Sequence, residues 1–236
     1  DMFGGAAPTA AVPVPYLDAP HWDEEQRLAG EKETLGLYLT GHPINRYRKE
    51  LGELVSHRLA DLQADSTRSA RAAGLVVAIR VMNSRRGRMA ALTLDDGSAR
   101  IEVVVYSDVF QRVQRFLGKD QVLIAQGIVG TDEFSGGLSM TADELFDVEE
   151  ARLRFARAVV VKMSSEPGSK IAVDCSVGTV SILQRLQDTL HPYRDGAARL
   201  YIAYEREDAC AVLPCGDAWR VSPREELLER LRNVDG

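Results

Sequence analysis

Between residues 74 and 146 the hydrophobic repeat changes period and then changes back, and this constrains the fold more than any other feature. Leu75, Val77, Ile79 and Val81 alternate with Val76, Ala78, Arg80 and Met82. Alternation in branched residues predicts a strand over 74–83, with the first set on one face. Residues 84–88, Ser-Arg-Arg-Gly-Arg, turn the chain into a return strand over 89–94. Asp95-Asp96-Gly97-Ser98 is a hairpin turn, because Gly tolerates the positive φ that tight turns demand. Residues 100–106 alternate again, with Ile101, Val103 and Val105 to one side. The spacing then becomes helical through Val109, Phe110, Val113, Phe116 and Leu117, with Ser107 placed to cap and Gly118 to stop the helix. Strands resume over 122–129 and 138–142, across the Gly-containing loop 132–137.

Three strands, one short helix and two further strands is the order of a five-stranded OB-fold barrel. The whole chain reads as α+β and multi-domain. Residues 1–22 are an Ala/Pro-rich flexible tail, 23–69 a helical segment and linker, 70–148 the barrel, and 149–236 a small mixed α/β domain. Helices are expected over 23–39, stopped by Gly41 and Pro43, and over 44–54, with 65–69 a polar linker. After the barrel come a charged helical bridge at 148–152, a strand at 158–163, a polar loop at 164–173 and a helix at 179–190. Paired strands at 200–205 and 210–213, a short strand at 219–221 and a last helix from Pro223 to Leu231 complete the reading.

With 236 residues and a formal net charge of -6, the chain does not attract nucleic acid through overall charge, so any such contact is local. No apolar run approaches the roughly 18 residues of a membrane span, and no basic-then-apolar leader is present, so a cytoplasmic protein is expected. Cys175, Cys210 and Cys215 are odd in number and lack zinc-site spacing, which reads as reduced thiols. His21, His42, His57 and His191 are scattered, so neither a metal nor a cofactor is expected. Asp95 and Asp96, the pair that a two-metal site would draw on, fall in a turn where Asp bonds local backbone. Asp143 and Glu144 are no better placed, and there is no Gly-rich phosphate loop or nucleophile elbow. No catalytic site is expected in this stretch.

Binding is better supported than catalysis. Arg85, Arg86 and Arg88 occupy the loop between the first two barrel strands, where OB-folds take oligonucleotides, with Arg80 and Arg100 expected on polar strand positions near it. Phe134 and Tyr106 could stack on bases, whereas Ala91, Thr93 and Val104 sit where a stacking platform would want rings. Three arginines in an exposed loop also serve solubility alone. If they bind, the contact should be weak, salt-sensitive and indifferent to sequence. Trp219 is either a core residue or an aromatic anchor for a partner, together with Leu227, Leu228 and Leu231. Met2 and Phe3, in a mobile tail, suit a docking peptide or simply a frayed end.

Glu31-Lys-Glu-Thr-Leu-Gly-Leu-Tyr-Leu-Thr-Gly-His-Pro43 resembles a signature in the C-terminal region of the bacterial replicative polymerase, the DNA polymerase III α subunit. Gly74-Leu-Val-Val-Ala78, Leu94-Asp95-Asp96, Phe134-Ser-Gly-Gly137, Met140-Thr141-Ala142 and Trp219-Arg220-Val221-Ser222-Pro223 fit the same family. The resemblance spans nearly the whole chain. It implies a non-catalytic piece of a multi-subunit replicase, whose parent is a DNA-directed DNA polymerase. The barrel would guide single-stranded template DNA, and the terminal domain would dock the τ subunit of the clamp loader near Trp219 and the last helix. Asp1-Met2-Phe3 matches the last three positions of the family's sliding-clamp peptide, Gln-x-Asp-Met-Phe. The Gln position falls before Asp1, so a truncated chain with a partial β-clamp site is expected. On the barrel alone, a tRNA-binding or single-strand-binding module of another protein stays open; residues 31–43 speak against it.

Overall fold

Asp23 starts the first helix, α1 (Glu24–Leu35), by accepting the Gln26 amide at 2.7 Å, while Glu24 and Glu25 complement the dipole in the first turn. The helix ends at Gly36, at φ 75°, and not near Gly41 as expected; the Gly36 amide returns to the Lys32 carbonyl. Glu31 then folds the following loop back. Its carboxylate accepts the Leu39 amide at 2.7 Å, the Thr40 amide at 3.1 Å and the Thr40 hydroxyl at 2.6 Å. The Thr40 hydroxyl, and then the Leu39 amide, hold that carboxyl below its ordinary range. The 31–43 signature is therefore partly a side-chain-to-backbone clasp. The computed structural model describes residues 21–85, 87–132, 136–164, 182–205 and 209–232, in two units divided after His42.

In the second unit a 3-10 turn, Pro43–Tyr47, leads into α2 (Arg48–Leu54), and a further turn, Leu59–Asp61, precedes the barrel. The barrel strands are β1 (Asp65–Ser84), β2 (Gly87–Asp95), β3 (Arg100–Val105), β4 (Val122–Thr131) and β5 (Leu138–Asp147). They close in the order β1-β2-β3-β5-β4, with β3 and β5 parallel. The five-stranded OB-fold expected from the sequence is present. Residues 65–69, expected to be a linker, begin β1: Asp65 pairs with Val129 and Ser69 with Ile128 across a bulge.

A second bulge in β1, between Val76 and Ala78, corrects the predicted face. An extra residue reverses which side chains point inward. Ala70, Ala72 and Val76 lie in the core before it and Ile79 packs on the core after it, while Val81 is 47% exposed. Ile101, Val103 and Val105 are buried as expected. Between β3 and β4, α3 (Ser107–Val113) contributes Val109, Phe110 and Val113 to the same core. Tyr106, not Ser107, is its N-cap residue, and the helix ends before Gly118, with Gln114 at its C-cap. Close packing of β4 on β5 requires Gly127, because a Cβ there would lie 1.9 Å from the Thr141 carbonyl oxygen.

A second core lies outside the barrel. Ala73, Ile124 and Phe146 are register neighbours on β1, β4 and β5, pointing away from the interior. They are covered by Ile44, Leu51 and Leu54 from the α2 segment and by Val148 and Ala151 of α4 (Val148–Phe155). The terminal domain follows, as β6 (Ala158–Ser164), α5 (Ile182–Leu190), β7 (Arg199–Glu205), β8 (Cys210–Pro214) and α6 (Glu225–Arg232). β6 and β7 are parallel with α5 in their crossover, and β8 returns antiparallel. Trp219 ends a 3-10 turn, Asp217–Trp219; of the strand expected at 219–221 only a single bridge, Val221 to Ala198, is formed.

Arg152 joins these parts. Its side chain is 3% exposed, on the covered face of α4, paired with Glu50 of α2 and, at 2.7 Å, with Glu225 of α6. Burial opposes its charge, but the two carboxylates outweigh burial and hold the guanidinium firmly ionised. For Glu225 burial alone would raise the carboxyl; Arg152 and Arg232 bring it below its ordinary value. In the β2–β3 turn, Asp96 accepts the Ser98 hydroxyl at 2.6 Å and the Ser98 amide at 2.8 Å, and its other oxygen takes the Leu59 amide at 3.0 Å. Burial opposes this charge too, and those donors overcome it, so the Asp96 carboxyl is lowered.

Replacing both Glu50 and Glu225 by Gln leaves a buried, unpaired guanidinium and should cost about 3 kcal/mol in urea unfolding. Both Asp96 and Glu225 titrate lower in the folded chain than in the unfolded one. Their stabilisation is present above the unfolded values of 3.8 and 4.5 and is lost as pH falls from there through the lower folded values. The urea midpoint should therefore hold steady from neutral pH and drop on acidification, and Asp96→Asn should make that drop shallower.

Candidate nucleic-acid interface

The β1–β2 turn is closed by the Ser84 hydroxyl donating to the Gly87 carbonyl at 2.9 Å, which leaves Arg85 exposed at its tip. Arg88, also exposed, carries its guanidinium over the Phe110 ring at 5.6 Å. Ser107 lies against Gly87, so the neighbouring Tyr106, 53% exposed, stands at the same end of the barrel. Among the described residues neither Arg85 nor Arg88 has a carboxylate partner. Arg86 and Phe134 lie outside the described residues, as do Met2 and Phe3.

Register defines the outer surface beside this turn. One row runs Arg80, Ala91, Val104, Thr141, and the next Ala78, Thr93, Glu102, Ser139, across β1, β2, β3 and β5. Neither row holds an aromatic ring, as Ala91, Thr93 and Val104 implied. Arg80 crosses to Glu102 at 2.5 Å, and Arg100 binds Asp95 at 2.6 Å. Arg100 does not lie near the turn as expected. It pairs beside Asp95, eight residues along β2 from Gly87, and at about 3.3 Å per residue that is roughly 25 Å away. Arg85, Arg88 and Tyr106 are thus brought together, while Arg80 and Arg100 are occupied by acidic partners.

A second arginine cluster gave no motif to read. Arg71 lies over the Phe155 ring at 3.8 Å, Phe155 meets Phe146 edge-on at 5.3 Å, and Arg154 lies over Phe146 at 5.0 Å. Beside it is a groove of about 170 Å³ between α3 and α4, where Arg154 pairs with Glu144 at 2.7 Å and Arg115 pairs with Glu150. Arg112, the third arginine of its lining, donates to the Asp108 and Asp143 carbonyls, so each guanidinium there is engaged by protein oxygen, which suits packing more than a phosphate track. Arg152 could have been found from spacing alone: with Val148, Ala151 and Phe155 it completes an i, i+3, i+4, i+7 stripe.

In the terminal domain Leu227 is fully buried and belongs to the core, which corrects its expected place on a docking surface. Leu228, Leu231 and Trp219 are half-buried and pack against that core. Arg194 covers the Trp219 ring at 4.6 Å and donates to the Ala218 carbonyl at 2.6 Å, while Arg220 donates to the Ala197 carbonyl at 2.8 Å. The indole is thus held between the core and Arg194 and keeps only partial exposure to solvent.

Residues 70–148 match the family model of the OB-fold nucleic acid binding domain, and residues 185–236 that of the DNA polymerase III subunit alpha C-terminal domain. All of this chain aligns with DNA polymerase III subunit alpha of Escherichia coli at 42% identity, of Vibrio cholerae at 42% and of Pseudomonas aeruginosa at 36%. The chain spans about a fifth of the length of these relatives, 20%, 20% and 19% respectively. No helix among the described residues is long and apolar enough to cross a membrane. Along its entire length the chain belongs to the family of bacterial DNA polymerase III α subunits, as a counterpart of their C-terminal region.

Proposed function

We propose that this is a non-catalytic region of a replicative DNA polymerase that handles single-stranded template and holds partner proteins. The observation that carries the first part is the pairing pattern of the arginines. Of the candidate arginines, Arg80 and Arg100 are neutralised by Glu102 and Asp95, and Arg85 and Arg88 at the β1–β2 turn have no such partner among the described residues. Of these four, the two at the rim are left to attract a phosphate backbone. With Tyr106 as the exposed ring in reach, stacking supplies about 1–3 kcal/mol for one base. Contact is then weak, non-specific and dominated by counterion release.

The terminal domain, by the same reading, docks the τ subunit of the clamp loader through the exposed part of Trp219 and the adjoining part of α6, Leu228 and Leu231. Support comes from the family likeness of residues 185–236 and from the half-covered indole. The Asp1-Met2-Phe3 segment is the end of a sliding-clamp peptide. The polymerase chemistry of the parent lies outside this stretch, and its setting is the cytoplasm.

Anisotropy of a labelled oligo(dT) across a salt series tests the barrel assignment. Replacing Arg85, Arg86 and Arg88 by Ala should flatten the slope of log K against log salt by about 2, from roughly 0.7 per lost phosphate contact. Unchanged binding at low salt would sink the assignment. Trp219→Ala should reduce capture of a τ fragment at least about tenfold. It should leave oligo(dT) affinity unaltered, with a melting curve to establish that the domain stays folded.

A further inference from the structure

A second groove, of about 210 Å³, lies between α2, the first half of β1 and the β2–β3 turn, and neither role proposed above uses it. Its floor is aliphatic: Ile44, Leu51 and Ala73 are buried, with Val55 beside them. Its rim is basic, formed by the exposed Arg48, His57 and Arg58. Arg48 donates to the Asn45 side chain at 3.0 Å, and among the described residues neither Arg48 nor Arg58 has a carboxylate partner. A slot that would shelter an apolar side chain is therefore edged by two guanidiniums, against the single carboxylate of Asp96, which is already engaged by the Ser98 hydroxyl and by the Ser98 and Leu59 amides.

Gly52 adds an independent observation. It lies within α2, where glycine lowers helix stability relative to alanine. The fold does not call for it: its φ is not positive, and a Cβ at this position would meet nothing within 4 Å. What the missing side chain does achieve is to keep the groove open, since Gly52 is part of its lining.

We propose that this groove docks an acidic peptide segment of a partner protein. One large aliphatic or aromatic side chain of the peptide lies over Ile44, Leu51 and Ala73, and the flanking carboxylates meet Arg48 and Arg58. Charge complementarity selects the acidic flanks, and the floor selects the apolar residue. Single-stranded nucleic acid fits less well. The floor is aliphatic, and His57 at the rim is the single ring among the described lining residues, so there is no platform on which successive bases could stack.

The test uses the full 236-residue chain. The probes are a panel of labelled peptides of about a dozen residues, with Leu, Ile, Met or Phe at the centre and zero to four Asp or Glu around it, and separately oligo(dT). Affinity should rise with each acidic residue. Gly52→Leu, which fills the groove, should weaken the best peptide at least about tenfold, as should Arg48→Glu combined with Arg58→Glu. Gly52→Ala should bind normally, and both Gly52 variants should melt at or above the temperature of the unmodified chain. Oligo(dT) affinity should not respond to Gly52→Leu. The proposal fails if no peptide binds the unmodified chain better than the Gly52→Leu chain, or if affinity ignores the acidic flanks. It also fails if filling the groove displaces oligo(dT) instead, which would make it a nucleic-acid slot.

Discussion

A guanidinium withdrawn from water is tolerable only where carboxylates come to meet it, and Arg152 sets that condition for the second unit. Removing an ion from water costs several kcal/mol even after relaxation, so Arg152 can be buried on α4 only if Glu50 and Glu225 are both delivered to it. One carboxylate comes from a helix that precedes the barrel and the other from the last helix of the terminal domain. Hydrophobic burial does the bulk of the stabilising, through Ala73, Ile124 and Phe146 beneath α2 and α4. Apolar surface is indifferent to small slides and rotations, whereas a buried ion pair is not. The division of labour follows: greasy contacts hold the helices down, and the charge fixes where they stop.

This arrangement bears on the proposed role. A template-handling rim and a partner-docking domain are useful together only if their relative placement is reproducible. The rim at Arg85 and the site around Trp219 are on different domains, yet both trace back to α4, which starts at the end of β5 and carries Arg152. Side-chain surroundings near Trp219 are equally determined. Arg194 donates to the Ala218 carbonyl of the 217–220 turn and Arg220 donates from it to the Ala197 carbonyl, while the Arg194 guanidinium covers the indole, which also packs on the core.

Barrel order was legible because each strand carried a period of two and the helix between the third and fourth carried a period near 3.6. The inward set of β1 was not legible, because the bulge at Val77 depends on how two neighbouring strands share one hydrogen-bond ladder, and no residue announces it. Residues 65–69 looked like a linker for a related reason: strand formation there rests on pairing with β4, and the exposed side chains are free to be polar. Gly41 was read as the helix stop because Pro43 follows it, whereas the helix ends at Gly36 and the Glu31 clasp folds the chain back from there. Arg152 and Leu227 were read by residue type and by proximity to a motif, respectively. Their positions on covered faces were set by tertiary packing, although the stripe around Arg152 was there to be counted.

The candidate interface shows how a chain with a formal net charge of -6 can still attract a polyanion. Screening decides it. At physiological ionic strength the Debye length is about 8 Å, so charges farther than that from a phosphate contribute little. Within that radius of the β1–β2 turn stand Arg85 and Arg88, and the nearest strand arginine, Arg80, has already spent its charge on Glu102. Lowering the salt strengthens the rim's pull but also uncovers the negative remainder of the molecule. The attraction should therefore grow less steeply at the dilute end than the rim alone would give. A local patch on an acidic body is in this way limited in affinity from both directions, which suits the proposed role, in which template slides past the rim.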